Sequence, residues 1–423
     1  MLNQESVAAV EAARFGAHFV RPLYDTYGFA RIPGTIERLL TGVGAPPLPP
    51  AALAGLDARY TTVVLVLIDA FGWRFFEPRL DHDPFLRRFA EHGVVSRLTT
   101  MFPSTTSAHV TALHTGLDPA ASGIFEWFYY EPTLGRVIAP LLFSYAGDKE
   151  RETLAAAGVD PAPILPSDTL YRRLAAAGVR STVLQHASYA QSSYTRVVCA
   201  GAEVLGYRTT AEALVTLTER LAAHPEPSYS LLYLDTVDAL AHIHGPDSPH
   251  VAAEIDVVLT ALERVLHPAL QRLGRPALLL LSADHGQITI DPATALLANR
   301  LVPGLEAATP HGTDGRPLAP SGSSRDLFFY LREGHAEDSA AALATALAGH
   351  AELHRTADLI AAGFFGPNPS PAFLSRVGSF VALPYPGSTV WWDDQRFPMR
   401  FKGSHGGLTP EEAHTQFAAL HYG

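Results

Sequence analysis

A group of hydroxyl side chains stands at the predicted start of a helix in residues 98–116, LTTMFPSTTSAHVTALHTG, after a turn around Pro103. The hydroxyls belong to Ser104, Thr105, Thr106 and Ser107. The first N–H groups of a helix have no partner inside the helix, so this end attracts anions. One hydroxyl would serve as the N-cap. Alternatively, one would attack a phosphate held by the free amides, provided that a nearby cation or base activates it.

Three carboxylates and three imidazoles occur at the ends of predicted strands or in adjacent loops: Asp69, Asp238, His242, Asp284, His285 and His405. Carboxylate oxygen and imidazole nitrogen are the ligands that zinc accepts besides thiolate. Asp238 and His242 are four residues apart, so one helical turn or a tight loop would bring both to one ion. Two ions about 4 Å apart would lower the pKa of a hydroxyl and stabilise a leaving oxygen. Such a pair would supply the activation that the hydroxyl needs.

Each of these residues also has a structural alternative. Asp69 would cap the helix that follows it, and Asp238 with His242 would form a surface pair. His405 would be an ordinary loop histidine. The joint occurrence of the six residues with the hydroxyls favours the metal interpretation.

The elements that must position these residues alternate between strand and helix. Residues 63–68, VVLVLI, and 277–281, ALLLL, are apolar on both faces, as in central parallel strands that helices cover. Asp69 and Asp284 follow these runs, at the strand ends where open α/β sheets bind ligands. The repeated order predicts an α/β fold with a doubly wound, mainly parallel sheet.

The remaining segments predict the domain organisation. Residues 4–42 predict two helices broken by Pro22 and Pro33, and residues 251–273 predict one long helix. The predicted parts are a helical leader with a Pro-rich connector at 1–55, a catalytic core at 56–300 and 396–423, and a small α+β insertion at 301–395. Aromatic residues at 125–130 predict core or loop packing, with ligand stacking as the alternative.

Composition limits the partners of this chain of 423 residues. A net charge of −11 argues against a nucleic-acid polymer, although a small anionic substrate would fit where local cations are present. The lone Cys199 excludes an intrachain disulfide and a Cys-rich zinc module. No stretch reaches the roughly 18 unbroken apolar residues of a membrane span, and a signal-peptide pattern is lacking. We therefore expect a cytoplasmic protein that does not enter a membrane, of unknown oligomeric state.

Several motifs together resemble a known family. They are LIDAFG, FPSTTSAHVTALHTGLDPAASGI, EWFYYEP, YLDTVDALAHIHGP, LSADHG and GSHGG, in this order between about Val63 and His405. This set is similar to the nucleotide pyrophosphatase/phosphodiesterase (type I phosphodiesterase) branch of the alkaline phosphatase superfamily. The resemblance implies an alkaline phosphatase-like fold and hydrolysis of phosphodiester or nucleotide pyrophosphate bonds in small phosphate esters, nucleotides among them.

The resemblance also implies roles for individual residues. The family's nucleophile lies nine residues before the threonine of its TG pair, and counting back from Thr115 gives Thr106. It further implies two zinc ions, for which other divalent metals are alternatives. One ion would be bound by Asp69, Asp284, His285 and Thr106, and the other by Asp238, His242 and His405. The implied mechanism is attack by the Thr106 alkoxide, a phosphothreonine intermediate, and its hydrolysis by water activated on the second zinc.

The chain departs from the family at two positions. His109 stands where related diesterases commonly have an asparagine that holds a phosphate oxygen, and Ser122 replaces the histidine of an HGI motif. His109 would bind substrate or be a buried helix histidine. Lys402 and Arg325 would likewise meet a charged substrate or serve packing.

The alternatives to a diesterase are a C–P hydrolase similar to phosphonoacetate hydrolase, a phosphomonoesterase, and a non-catalytic domain that binds a phosphorylated ligand. A metal-independent scaffold is a further alternative.

Overall fold

A sheet of seven strands forms the centre of this computed structural model, which describes residues 1–45, 47–56 and 59–423. The strands are β1 Thr62–Ile68, β2 Val94–Thr99, β3 Arg180–His186, β4 Glu203–Tyr207, β5 Ser228–Leu234, β6 Ala277–Ser282 and β7 His414–Tyr422. Their spatial order is β2-β7-β6-β1-β5-β3-β4. Strand β7 is antiparallel to both neighbours, and the other six strands run in one direction.

Strand β1 lies between β6 and β5 and is buried on both faces. Its alternate residues Val63, Leu65 and Leu67 pack in one hydrophobic core. The intervening residues Val64, Val66 and Ile68 pack in a second core on the opposite face. Because successive strand residues point to opposite faces, an unbroken apolar run is what a sheet covered on both sides requires. The predicted doubly wound, mainly parallel α/β sheet is confirmed.

Helices cover both faces of the sheet. Those of at least seven residues are α1 Gln4–Ala12, α2 Ile32–Thr41, α3 Pro84–His92, α4 Thr106–Thr115, α5 Leu170–Ala176, α6 Thr210–Ala223, α7 Thr236–His244, α8 Pro249–Ala261 and α9 Ala336–Ala346. Shorter helices are Trp73–Phe76, Pro119–Ser122, Thr153–Ala156, Ser193–Val198, His267–Gln271, Ala298–Leu301, Leu305–Ala308, Thr356–Ala361, Pro371–Arg376 and Pro410–Ala413. Helices α2, α4 and α5 pack on one face, and α3, α6 and α8 pack on the other.

Two predictions about helices were wrong in detail, both at prolines. Pro33 is the second residue of α2 and does not break a helix, because a proline in the first turn loses no hydrogen bond. The predicted helix 251–273 is interrupted after α8 by a π-helical turn, Leu262–Leu266, and resumes as His267–Gln271. Pro268, which has no N–H to donate, lies just after this turn.

A small sheet outside the central one forms the α+β insertion, as predicted. Its antiparallel strands are Leu327–Phe329, Phe380–Pro384 and Ala351–Arg355, in that spatial order. Leu327 and Phe329 share a separate hydrophobic core with Leu343 of α9. The extents predicted for the leader, core and insertion stay predictions.

Four further sets of short strands complete the described chain. They are Arg14–Phe15 with Phe19–Val20, Tyr129–Glu131 with Arg136–Ala139 and Ser144–Tyr145, Ile288–Thr289 with Gly403–Ser404, and Leu296–Leu297 with Val390–Trp391. The third of these sets joins the segment after β6 to the segment that contains His405, through pairing of residues 288–289 with 403–404.

Arg325 is completely buried and forms an ion pair with Glu412. Its Nε and Nη2 each donate to one Glu412 carboxylate oxygen at 3.0 Å. The guanidinium also donates to the carbonyls of Pro384 and Tyr385, each at 3.1 Å. Glu412 additionally accepts the N–H of Gly407 at 3.1 Å. Arg325 therefore serves packing, the second of its two predicted alternatives, and joins the insertion to the segment after His405.

Within the described residues, no helix combines the length and apolar character needed to cross a membrane. The cytoplasmic location stays a prediction. Cys199 is buried and unbonded to another cysteine.

Replacing Arg325 by methionine should lower the free energy of unfolding by about 3–5 kcal/mol, because Glu412 keeps a buried charge without its partner. Urea denaturation followed by circular dichroism measures the change. Arg87→Met is the matched control, since Arg87 pairs with Glu91 at an exposed site and its loss should leave the midpoint unchanged. Equal midpoints for wild type and Arg325→Met would contradict the role assigned to the pair.

Candidate metal centre

Three neighbouring strands deliver acidic side chains to one edge of the sheet. Asp69 directly follows β1, Asp284 follows β6 after one intervening residue, and Asp238 lies in the first turn of α7, just after β5. Because these strands are adjacent and parallel, their carboxyl ends lie side by side. The fold therefore brings together three carboxylates that are far apart in the sequence.

Asp69 and Asp284 are buried with half of their oxygens satisfied. Asp284 Oδ1 accepts the N–H of Ala70 at 3.1 Å and that of His285 at 3.0 Å. Asp69 Oδ2 accepts the hydroxyl of Tyr233. Asp69 Oδ1 and Asp284 Oδ2 are buried without a hydrogen-bond partner among the described residues. A buried oxygen of this kind is costly unless a donor or cation reaches it.

The protonation equilibria of the two acids reflect this environment. Burial, followed by the charges of Asp284 and Asp238, raises the pKa of Asp69 well above its usual range. Burial also raises the pKa of Asp284, to about 7. No Lys or Arg in the described chain pairs with either carboxylate, so a bound cation is the natural means of holding both ionised.

A second group lies beside the first and consists of Asp238, His242 and His405. Asp238 Oδ2 is 3.4 Å from His242 Nε2, and Asp238 Oδ1 is 3.7 Å from His405 Nε2. The first two share a face of α7 because they are one helical turn apart. The ligand atoms of all three residues lie within 4.8 Å of one another, as do those of Asp69, Asp238 and His285.

Backbone carbonyls orient all three imidazoles. Nδ1 lies 2.8 Å from Gly403 O in His242, 3.0 Å from Gly286 O in His285 and 2.9 Å from Ser104 O in His405. A carbonyl only accepts hydrogen bonds, so each Nδ1 carries a hydrogen, and Nε2 is the nitrogen of each ring that can bind a metal ion. In metal-binding histidines, the ring nitrogen that does not bind the metal typically donates a hydrogen bond in this way.

Two of these carbonyls belong to glycines in positions too tight for a side chain. A Cβ at Gly286 would lie 2.0 Å from Glu411 O, and one at Gly403 would lie 2.4 Å from Ala241 O. Glycine is required at both positions because the backbone passes so closely there.

The donor set fits divalent cations. Three imidazole Nε2 atoms face three carboxylates, two of which have an unpartnered buried oxygen. Nitrogen and oxygen ligands of this kind suit zinc, and other divalent metals bind them as well. The structure brings all six residues together, and their roles as ligands stay predictions.

Thr106 is the first residue of α4, and its hydroxyl lies 3.1 Å from His285 Nε2. Among the described contacts, the other three hydroxyls make no hydrogen bond to the six candidate ligand residues, and Ser107 Oγ is buried without a partner. Ser104 Oγ hydrogen-bonds Thr100 Oγ1 at 2.7 Å, and Thr105, in the N-cap position, makes no capping hydrogen bond with its side chain. Of the four hydroxyls predicted as candidates, that of Thr106 makes the hydrogen-bond contact with the metal-ligand cluster.

His109 is completely buried and has both ring nitrogens engaged by the backbone. Nδ1 lies 2.8 Å from Thr105 O, and Nε2 accepts the N–H of Met101 at 2.9 Å. Burial lowers the pKa of His109 to about 3, so the ring is neutral. These contacts favour the buried helix histidine over the predicted substrate ligand.

Sequence reasoning missed several residues that hold the site. Gln287 Nε2 donates to Asp238 Oδ1 at 2.5 Å, and Tyr233 donates to Asp69. Gln287 lies two residues after His285 in ADHGQ, and this closeness to a predicted ligand could have indicated that it belongs to the site. Tyr233, on β5, gave no signal distinct from an ordinary strand tyrosine.

Glu126 and Asp326 form a buried carboxyl pair that the sequence also did not predict. Glu126 accepts the N–H of Trp127, and its Oε1 is buried without a hydrogen-bond partner among the described residues, as is Asp326 Oδ2. Asp326 accepts the N–H of Ser323 at 2.9 Å, and the Ser323 hydroxyl lies 2.7 Å from His405 O. Burial raises the pKa of Glu126 well above its usual range and that of Asp326 to about 7. Ser323 connects Asp326 to the His405 segment.

A cavity of about 180 Å³ opens beside the cluster. Its lining includes Asp69, Thr106 and Asp238 together with Trp127 and several apolar side chains. Of the aromatic residues at 125–130, Phe125 and Tyr129 are buried in the core, as predicted, whereas Trp127 faces this cavity.

Comparisons with known proteins agree with this geometry. The family model "Type I phosphodiesterase / nucleotide pyrophosphatase" matches residues 63–408. Murine ectonucleotide pyrophosphatase/phosphodiesterase 5 (ENPP5, NPP5) is similar with a TM-score of 0.63 and 18% identity, over 85% of this chain and 88% of that chain.

Its inactive variant in complex with AMP has a TM-score of 0.63 and 18% identity, over 85% of this chain and 87% of that one. The human protein has a TM-score of 0.62 and 19% identity, with coverage of 85% and 87%. These similarities show a shared fold. No curated protein sequence matches significantly.

Asp238→Ala should lower the zinc content of metal-replete protein, because Asp238 supplies an atom to both groups of candidate ligand atoms. Elemental analysis of metal-replete protein measures the change. Asp81→Ala, at an exposed position, is the matched control and should keep the wild-type metal content. An unchanged zinc content in Asp238→Ala would place the ions elsewhere.

Proposed function

The chain belongs to the type I phosphodiesterase/nucleotide pyrophosphatase family, and we propose that it is a metal-dependent hydrolase that cleaves phosphodiester or nucleotide pyrophosphate bonds. The observation that carries the proposal is the contact between the Thr106 hydroxyl and His285 Nε2, at 3.1 Å. This contact sets a nucleophile-type side chain at the edge of a buried cluster of metal-ligand residues. The cluster and the family lead to the same class of reaction.

The residues proposed to hold two zinc ions fall into two sets. Asp69, Asp284 and His285 with Thr106 form one set, whose donor atoms lie around His285 Nε2 at 3.1–3.5 Å. Asp238, His242 and His405 form the other. When bound, such cations lower the pKa of a hydroxyl and stabilise negative charge on phosphate oxygens.

Thr106 is the proposed nucleophile. Its hydroxyl proton passes to solvent, Oγ1 forms a bond to phosphorus, and the bond from phosphorus to the leaving oxygen breaks, after which that oxygen takes a proton from solvent. Water then hydrolyses the phosphothreonine, which restores the Thr106 hydroxyl and releases the phosphate product. The position at the start of α4 supports this role, because the first amides of the helix are free to donate to phosphate oxygens. Burial lowers the pKa of His285 well below its usual range, so the Nε2 lone pair of the neutral ring is available to the same cation as the Thr106 hydroxyl 3.1 Å away.

Small phosphate esters, nucleotides among them, are the proposed substrates. A structure of the murine relative contains AMP, and the same compound class is proposed here on that ground. The cavity beside Thr106 is suited to part of a small molecule and not to a polymer, since its volume is about 180 Å³. The net charge of −11 also disfavours nucleic-acid polymers.

Thr106→Ala should reduce kcat by about 10³-fold or more while bound metal stays at the wild-type level, because only the attacking oxygen is lost. Release of p-nitrophenol from bis-p-nitrophenyl phosphate measures the rate, and elemental analysis measures the metal. Thr106→Ser, which keeps a hydroxyl, is the matched variant and should retain measurable turnover. Wild-type activity in Thr106→Ala would move the nucleophile to another residue.

A comparison of three substrates should give the highest kcat/KM for bis-p-nitrophenyl phosphate, followed by p-nitrophenyl phosphate and phosphonoacetate. Rates are measured with metal-replete protein under identical conditions. Faster hydrolysis of the monoester or of phosphonoacetate would favour a phosphomonoesterase or a C–P hydrolase. Failure to cleave all three, with binding retained, would favour a non-catalytic domain.

A further inference from the structure

One face of α4 leads from the candidate nucleophile into the cavity. Thr106, Val110 and His114, spaced four residues apart, all line it. Leu67 of β1 and Leu231 of β5 line it from the sheet. The cavity is therefore mainly apolar along its length, with the metal-ligand residues at one part of its wall.

The volume of the cavity restricts what enters it. Its size of about 180 Å³ is close to that of an engineered apolar cavity of roughly 150 Å³ that accepts benzene. Trp127 and Tyr189 add aromatic surface to the lining. A single ring or a group of similar size fits this space.

Arg151 is the one cationic side chain among the described residues that line the cavity. The other basic residue there, His114, is neutral because burial lowers its pKa to about 3. The guanidinium of Arg151 lies 5.5 Å from the ring centre of Tyr189, a cation–π contact that positions the group without neutralising it. The side chain is exposed and pairs with no carboxylate in the part of the chain that the structure describes.

Two acidic residues of this region, one adjacent to Arg151 in the sequence and one in the cavity lining, bind other partners. Glu152, next in sequence, accepts the N–H and the hydroxyl of Ser193 at 2.8 and 2.6 Å. Asp235, which also lines the cavity, accepts the hydroxyl of Tyr189 at 2.9 Å. The charge of Arg151 thus remains available in a chain whose net charge is −11.

We infer that Arg151 binds a second anionic group of the substrate, a carboxylate or a phosphate-type group joined to the scissile phosphoester through an apolar part of about one ring. This inference rests on the proposed function and specifies its substrate class. Arginine suits the role because its planar guanidinium binds carboxylate or phosphate oxygens in pairs. Arg151 would act as a specificity-determining residue, since the reaction at Thr106 does not require it.

The test uses three diesters that share the 4-nitrophenyl leaving group and differ in the second ester group. That group is phenyl, 4-carboxyphenyl or 4-(phosphonomethyl)phenyl, so the last two separate carboxylate from phosphate-type recognition. Release of 4-nitrophenol gives kcat and KM for wild type, Arg151→Met and Arg151→Lys. Arg272→Met, at an exposed helix end outside the cavity lining, is the matched control.

Wild type should prefer at least one of the anionic diesters over the phenyl diester. In Arg151→Met, kcat/KM for that diester should fall about 10- to 100-fold, the factor expected for a hydrogen bond to a charged group, mainly through KM. The kcat/KM of Arg151→Lys for that diester should lie between the values of wild type and Arg151→Met. The kcat/KM for the phenyl diester should be unchanged in every variant.

Three outcomes would overturn the inference. One is an unchanged preference in Arg151→Met, and another is an equal loss on the phenyl diester, which would indicate a merely structural role. The third is a wild type that prefers the phenyl diester. If wild type cleaves none of the three, the proposed function itself fails, and this result is distinct from the others.

Discussion

The structure depends on three carboxylates that the sheet brings together without a cationic side chain to neutralise them. Asp69, Asp284 and Asp238 meet because β6, β1 and β5 are adjacent and run in one direction. Within the described residues their ionic neighbours are histidines, and His285 and His405 are kept neutral by burial. Repulsion among the acids therefore has to be relieved by protonation or by bound cations. Holding the three carboxylates together costs free energy when no cation is bound and becomes favourable when cations bind. Much of the surrounding structure therefore serves to keep these side chains in place.

That surrounding structure is largely backbone. The imidazoles are oriented by carbonyl oxygens of Ser104, Gly286 and Gly403, and the strand pair 288–289 with 403–404 keeps two of these segments in register. The buried Arg325–Glu412 pair ties the insertion to the segment after His405. Geometry set by the backbone is precise because it has few degrees of freedom. The hydroxyl of Thr106, fixed at the start of α4, therefore meets a cluster that is already organised.

Local patterns in the sequence predicted part of this. Asp69 and Asp284 follow runs that are apolar on both faces. The sequence therefore predicted that both lie at strand ends, although it did not show which strands are neighbours in the sheet. The spacing of Asp238 and His242 predicted a shared helical face. His405 lies about 120 residues beyond His285 and has no local pattern, so the sequence grouped it with the other candidate ligands only by residue type, and the family resemblance implied its partners. The carbonyls that orient the histidines could not be predicted, because every residue has a carbonyl and only the folded structure determines which ones lie next to the imidazoles.

Pro33 was misassigned because proline occurs in the first turn of helices and also breaks them. The extents of the leader, core and insertion remain predictions.

The position of β7 bears on how the molecule is made. Strand β2 pairs within the sheet with β7 alone among the described strands, yet more than 300 residues separate the two along the chain. At the usual pace of a ribosome, about 5–20 residues per second, β2 waits on the order of tens of seconds for its neighbour to emerge. During that interval the flank of β6 that β7 will cover is open as well. Because the chain is synthesised from its N-terminus, the facing edges of β2 and β6 stay unpaired until residues 414–422 have emerged, and His405 can reach the other ligands only at about the same time.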